Sequence, residues 1–299
     1  MENLDELMNQ SKAKPSQNKT NTGKGESIKE KRDRCGAMID EMYAEILKTP
    51  DRLMAYLDVQ SRLSAYSVGN QLLILKQKPN ATKLKTFDAW KKEEVNVKKG
   101  AKGMMILEPR PYKTKDGKTG TSFDPKTVFD ISDTTAEITE EKVSHDGAML
   151  VRALVHDSPA DISTLKEYPS DREDGAYYDV AENHIYARQK MSYAEILTSV
   201  SQALAHAELA AKKENYRVAD HAFQARCVAY VIAKKYGVPT DLVQIHSIPA
   251  RFADYDKKQI KEEFGDIHAC VRAISGRMDD ALGLKKEKQK DAPSREDSR

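Results

Sequence analysis

Five lysines, Lys91, Lys92, Lys98, Lys99 and Lys102, crowd one short stretch of the chain. The last three fall in the run Lys98-Lys99-Gly100-Ala101-Lys102-Gly103. A lysine-rich turn with glycines beside it can approach a phosphate backbone closely. Trp90, Tyr66 and Tyr112 would add flat faces, which suit single strands because every base has a π-face. No base-reading motif accompanies them, so such binding would be weakly sequence-selective. The competing reading is a solvated lysine loop with Trp90 as a core anchor, and with Tyr66 and Asn70, spaced i and i+4, bracing a helix. A second group is His206, His221 and Asp220, which could form a metal site if their two helices met. Glu208, two residues after His206, points elsewhere on its helix. His145, His156, His184, His246 and His268 are scattered. There is no Ser-His-Asp order with an elbow motif, no P-loop, no GxGxxG and no CxxC.

These residues need elements to hold them. A helical pattern starts at Ser27, with Ile28, Met38, Ile39, Met42, Ile46 and Leu47 near one face. Thr49-Pro50-Asp51 stops it and starts a second helix. A third covers Val68 to Gln77, ending before Pro79. A short helix, Thr86 to Glu94, carries Trp90. Met104 to Leu107 reads as a strand, residues 113–122 as a hairpin tip, and Val128 to Ile131 as the returning strand. Gly147 to His156 forms a helix. Tyr177 to Val180 and His184 to Ala187 form a hairpin. Long helices follow over Ser192 to Lys213 and Val218 to Tyr236, the second ending at Gly237. Several shorter helices finish the fold.

The chain has 299 residues, 39% hydrophobic and 32% charged, with a net charge of +2. That composition fits a polar globular protein of two domains. The small net charge conceals a switch. Residues 83–118 hold eleven Lys or Arg against five acids, and residues 133–182 hold thirteen acids against four bases. Modules with different partners are expected: a polyanion for the first, and a basic protein partner for the acidic segment 133–182. No apolar run is long enough to span a membrane, and the N-terminus lacks a signal-peptide shape, so a cytoplasmic location is expected. Three cysteines, Cys35, Cys227 and Cys270, are an odd number without pair spacing and read as reduced thiols. Residues 1–25 and 285–299 have the composition of disordered tails.

In the first half, Tyr66-Ser67, Asn70, Gln77, Pro79, Ala81-Thr82, Phe87, Trp90, the Lys98–Gly103 run, Ile106, Pro109 and Val128-Phe129-Asp130-Ile131 followed by Thr134 occur in one characteristic order. Residues 28–135 thereby resemble the N-terminal domain of the ArdC-type antirestriction proteins of plasmids and conjugative elements. The resemblance implies single-stranded-DNA binding, with Tyr66, Ser67, Asn70, Gln77, Trp90, Lys98, Lys99 and Lys102 as contact residues. Asp133 departs from the family, which usually carries Gln there.

The second half resembles the zincin-like peptidase domain of the same arrangement. That pattern puts His-Glu-x-x-His on one helix and a third ligand, commonly Glu, on the next. Two His at i and i+4 share a face and reach one metal, and the Glu activates its water. In the matching frame, Gln202 stands in place of the first His, Ala203 in place of the Glu, and Gln224 in place of the third ligand. Only His206 is kept. A neutral amide is a poor zinc ligand, and alanine can take no proton. The resemblance therefore implies a pseudoenzyme with no metal and no other cofactor, its His206 semi-buried and hydrogen-bonded to Gln202 or Gln224. The alternative is a metallopeptidase with a rearranged site at His206, His221 and Asp220.

The expectation is an α+β chain: residues 26–135 a single-stranded-DNA-binding domain, and residues 136–284 a catalytically dead zincin-like domain. The cellular role would be antirestriction or assistance to conjugative transfer, by analogy alone.

Overall fold

The computed structural model describes residues 26–114, 116–137, 146–243 and 245–284. The two expected disordered tails, His145 and part of the acidic segment lie outside them.

The chain is mixed α+β, with two small sheets among the described residues. Helix starts follow cap chemistry. Helix α1, Ile28–Ile46, begins with a capping box: the Glu30 N–H donates to Ser27 Oγ and the Ser27 N–H to the Glu30 carboxylate. Helix α2, Pro50–Arg62, has Thr49 as its cap and proline in its first turn, where the missing N–H costs nothing. Helix α3, Val68–Gln77, is capped by Ser67, whose hydroxyl accepts from the Asn70 N–H. Strand β1, Leu84–Lys85, leads into the short helix α4, Phe87–Lys92.

Strands β2, Met104–Lys113, and β3, Thr119–Asp130, form an antiparallel hairpin in register from Met104 opposite Val128 to Lys113 opposite Thr119. The hairpin is longer than the sequence suggests, and its tip is tighter than 113–122. The prolines explain the difference. The N–H groups of Met105 and Leu107 leave the sheet toward α3, and in an alternating ladder Pro109 and Pro111 share that outward direction. Strand β2 lies at the sheet edge, in the order β1-β3-β2, so neither proline removes a ladder bond.

After helix α5, Gly147–Val155, a second sheet forms from β4, Asp161–Leu165, β5, Ala176–Asp179, and β6, His184–Arg188. Strands β5 and β6 are the expected hairpin. Strand β4 pairs parallel with β6 and has no counterpart in the sequence reading. Helices α6, Tyr193–Ala210, and α7, Ala222–Lys235, pack together. A 3-10 turn, Val218–His221, occupies the expected start of α7, and Gly237 closes that helix at φ +70°. In place of several shorter closing helices, two 3-10 turns lead to one helix of 25 residues, α8, Lys257–Ala281. Its two interior glycines do not break it, because Phe264, Ile267, Cys270, Val271, Ile274 and Met278 are all buried along one face. The three cysteines are free and buried.

The large core gathers Met42, Tyr43, Leu53, Tyr56 and Leu57 of the first half with apolar faces of α5 to α8. A second cluster, beneath the first sheet, includes Val59, Leu63, Ile74, Met104, Ile106 and Val128. Helix α2 thus feeds both: its first turns enter the large core, and its last turn and Leu63 enter the sheet cluster. Polar links follow the same seam. The Tyr230 hydroxyl donates to Asp58 at 2.9 Å, and His268 Nε2 lies 3.0 Å from the Ser64 carbonyl.

Candidate functional site

In the first half, Asn70 and Gln77 act as a pair of clamps. They stand seven residues apart on α3, two turns along one face, about 10 Å of helix. Asn70 donates to the Leu107 carbonyl and accepts from the Leu107 N–H, both at 2.8 Å. Gln77 does the same for Met105, at 2.9 and 2.8 Å. Two residues of strand advance only about 7 Å. The longer Gln77 side chain takes up the difference. The two amides thus replace a neighbouring strand and close the open edge of β2. Asn70 is 3% exposed.

Tyr66 and Trp90 are not open faces. Trp90 is 1% exposed, and its indole N–H donates to the Phe129 carbonyl at 2.9 Å. Tyr66 is buried in the sheet cluster, and its hydroxyl donates to the Leu84 carbonyl. In this arrangement neither ring can stack on a base, because protein atoms already cover both. Ser67 spends its hydroxyl on the α3 cap. Asp133 accepts from Lys78 at 2.6 Å.

The lysines are exposed. Lys98 runs its ammonium to the Ser132 carbonyl at 3.1 Å, and the turn after it closes through Gly100 at φ +84°. Among the described residues, none of Lys91, Lys92, Lys98, Lys99 and Lys102 enters an ion pair, so their charge is not neutralised within the fold. The exposed aromatics nearby are Phe87 and, on the hairpin, Tyr112 and Phe123. Tyr112 lies across Gly120, where a Cβ would come within 2.6 Å of its ring.

In the second half, α6 and α7 bring His206 and Gln224 into the interior, at 4% and 1% exposure. Gln202 is half-buried on the neighbouring turn and Ala203 is in the core. His206 bonds neither to Gln202 nor to Gln224, as the sequence had suggested. Its Nδ1 lies 2.6 Å from the Tyr216 hydroxyl. Tyr216 stacks on His221 with centroids 4.8 Å apart and planes 7° from parallel, and Gln224 donates its amide N–H to His221 Nδ1 at 3.1 Å. Burial, and then the neighbouring His221, lower the His206 pKa to about 4, so the imidazole is neutral at pH 7. Burial, followed by Lys213, also lowers that of His221.

Tyr216 is the piece that α6 and α7 do not announce, since it lies on the connection between them. It bonds to one histidine and stacks on the other, so His206 and His221 do not open on a shared coordination point. Asp220 is exposed and turns to Arg217. Glu208 pairs with Arg277 at 2.7 Å. Gln224 Oε1 is buried with no hydrogen-bond partner. An amide oxygen and one imidazole do not make the nitrogen and carboxylate set that zinc requires. Among the described residues, no three His, Cys, Asp or Glu side chains converge as metal ligands. Beside Gln202 lies a cleft of about 400 Å³, lined by Thr198, Ser199, Arg188, Glu195, Arg226 and His246 among others.

Together these features define a mixed α+β protein with a basic, sheet-centred first half and a helical second half whose paired helices bury His206 and Gln224. Residues 42–151 match the ArdcN family, the N-terminal domain of anti-restriction factor ArdC. That match takes in a little over a third of the chain. The chain's likeness in structure is to the antirestriction ArdC protein from plasmid R388 in its Mn(II)-bound form. That match has a TM-score of 0.54 and 14% identity, covering 82% of this chain and 97% of that one. The metal-free structure of the same protein aligns at a TM-score of 0.43 and 16% identity, over 71% of this chain and 84% of that one. At these identities the likeness is one of fold. No curated protein matches the chain in sequence. Among the described residues, no helix is long and apolar enough to cross a membrane.

Proposed function

We propose that this chain is a single-stranded-DNA-binding protein of a mobile genetic element, serving antirestriction or conjugative transfer, and that its second half is a catalytically dead zincin-like domain. The observation that carries the first part is the cluster of exposed lysines without ion pairs, borne on an ArdC-type N-terminal domain. The solved relative is an antirestriction protein of a plasmid, which supports the cellular role. The contact surface is the Lys98, Lys99 and Lys102 turn. Asn70, Gln77, Ser67, Tyr66 and Trp90 serve it by holding the sheet in place. The second part rests on the amides at 202 and 224, the alanine at 203 and the engagement of His206 by Tyr216. The relative was solved with Mn(II), whereas these positions here offer one imidazole. The acidic segment 133–182 would meet a basic protein partner.

The test is fluorescence anisotropy with a single-stranded oligonucleotide at two salt concentrations. Micromolar or tighter binding that weakens with salt is expected. Each phosphate contact contributes a slope of about −0.7 in log K against log salt on single strands, so K98A/K99A/K102A should flatten it by up to about 2. Binding that ignores salt would reject the reading. Elemental analysis of the purified protein should find no stoichiometric transition metal, and finding one would overturn the second part.

A further inference from the structure

We propose that Phe87 and Phe129 are the base-stacking site of this protein, with the lysine turn beside them holding the phosphates. The assignment rests on the nucleic-acid reading above and says where the bases go. Phe87 is the first residue of α4 and is 53% exposed. Its ring meets that of the half-buried Phe129 edge-on, with centroids 6.4 Å apart and planes at 70°. Phe129 is fixed from within. Its carbonyl accepts from Trp90, and its strand neighbour on β1 is Lys85. Trp90 therefore serves as the foundation of a stacking surface and not as the surface itself.

The end of the lysine turn reaches the Phe129 ring because residue 103 is glycine. A Cβ there would lie 3.1 and 3.2 Å from two atoms of the Phe129 ring and 2.3 Å from Thr127 Cγ2. Without that Cβ, the backbone at residue 103, next to Lys102 at the end of the lysine turn, lies directly against the Phe129 ring. Nearby Glu93 is neutralised by Lys85. An apolar pair edged by unneutralised cations suits one class of partner: a strand whose bases are open and whose backbone is anionic. Duplex DNA keeps its base faces stacked inside the helix and offers nothing to Phe87.

The experiment uses the full-length protein and two fluorescent probes of equal length and charge, an oligo-dT strand and the same backbone with abasic sites. On oligo-dT, Phe87→Ala should weaken binding roughly 10-fold, in line with the loss of one stacked base. On the abasic strand the substitution should change little, and Phe87→Trp should hold oligo-dT within about twofold of the parent. Equal loss on both probes would overturn the assignment, because only charge or folding would then have changed. So would an unchanged oligo-dT affinity for Phe87→Ala, or a loss with Phe87→Trp as large as with alanine. If the parent itself binds neither probe, the nucleic-acid reading falls first and takes this site with it.

Discussion

Asn70→Ala is the substitution that most directly separates a brace from a DNA contact. It deletes two hydrogen bonds of 2.8 Å to Leu107 and leaves that residue's N–H and carbonyl at a strand edge with no partner. A net contribution of about 1 kcal/mol per bond gives roughly 2 kcal/mol. Leu107 is half-buried, so water can replace part of what is lost, and the expected destabilisation is about 1–2 kcal/mol. Gln77→Ala should cost a similar amount at Met105. The double variant should cost less than the sum, because once one clamp is gone the edge strand frays and the second holds less. Urea unfolding followed by tryptophan fluorescence is the assay. Trp90 is the only tryptophan, it is buried, and it bonds to the strand paired with β2, so its signal reports this sheet. A change below about 0.5 kcal/mol for Asn70→Ala would refute the clamp. If stability were kept while single-strand binding vanished, Asn70 would be a contact residue after all.

The buried histidine predicts a pH dependence. His206 has a folded pKa of about 4 against 6.5 in the unfolded chain, so between those values the unfolded state binds more protons. Its contribution is complete above about pH 6.5 and is lost as pH falls toward 4, by roughly 3 kcal/mol in all. His206→Gln should flatten that part of a stability-against-pH curve, and an unchanged curve would show that another group titrates. A second expectation concerns the absent donors. Gln202→His with Gln224→Glu should lower the melting temperature of the metal-free protein, because position 224 is 1% exposed and a carboxylate there loses its hydration. Added zinc should restore it by binding the folded form alone. Failure of zinc to raise the melting temperature would mean that the two helices do not present a zincin-like site.

Much of the fold is written in local chemistry. Ser67 and Pro79 bound α3, the Thr49-Pro50 step separates α1 from α2, and Gly237 ends α7, each by a cap or a backbone preference that acts within a few residues. The hairpin length was hidden because Pro109 and Pro111 read as strand breakers until the edge position of β2 shows which way they face. Strand β4 is short and half-open to solvent, so its pattern lacks a clear alternation, and its parallel partner comes two strands later. The site residues divide in the same way. The exposure of the lysine turn follows from its composition. The burial of Trp90 and the bond between His206 and Tyr216 depend on tertiary neighbours that no spacing encodes. The Asn70 and Gln77 pair did leave a signal: two amides seven residues apart on one helix face, next to a sheet that needs its edge covered.

The seam at α2 also bears on how such a chain can be inherited. Leu53, Tyr56 and Leu57 belong to the large core, while Val59 and Leu63 belong to the cluster under the sheet. A gene cut at the charge switch would encode a first half with the apolar side of α1 and α2 uncovered. Residues 28–62 can stay folded only if the later helices stay apolar where they face them. Selection acting on one end of the gene therefore preserves the other, whatever the later helices do. The two halves are kept or lost together.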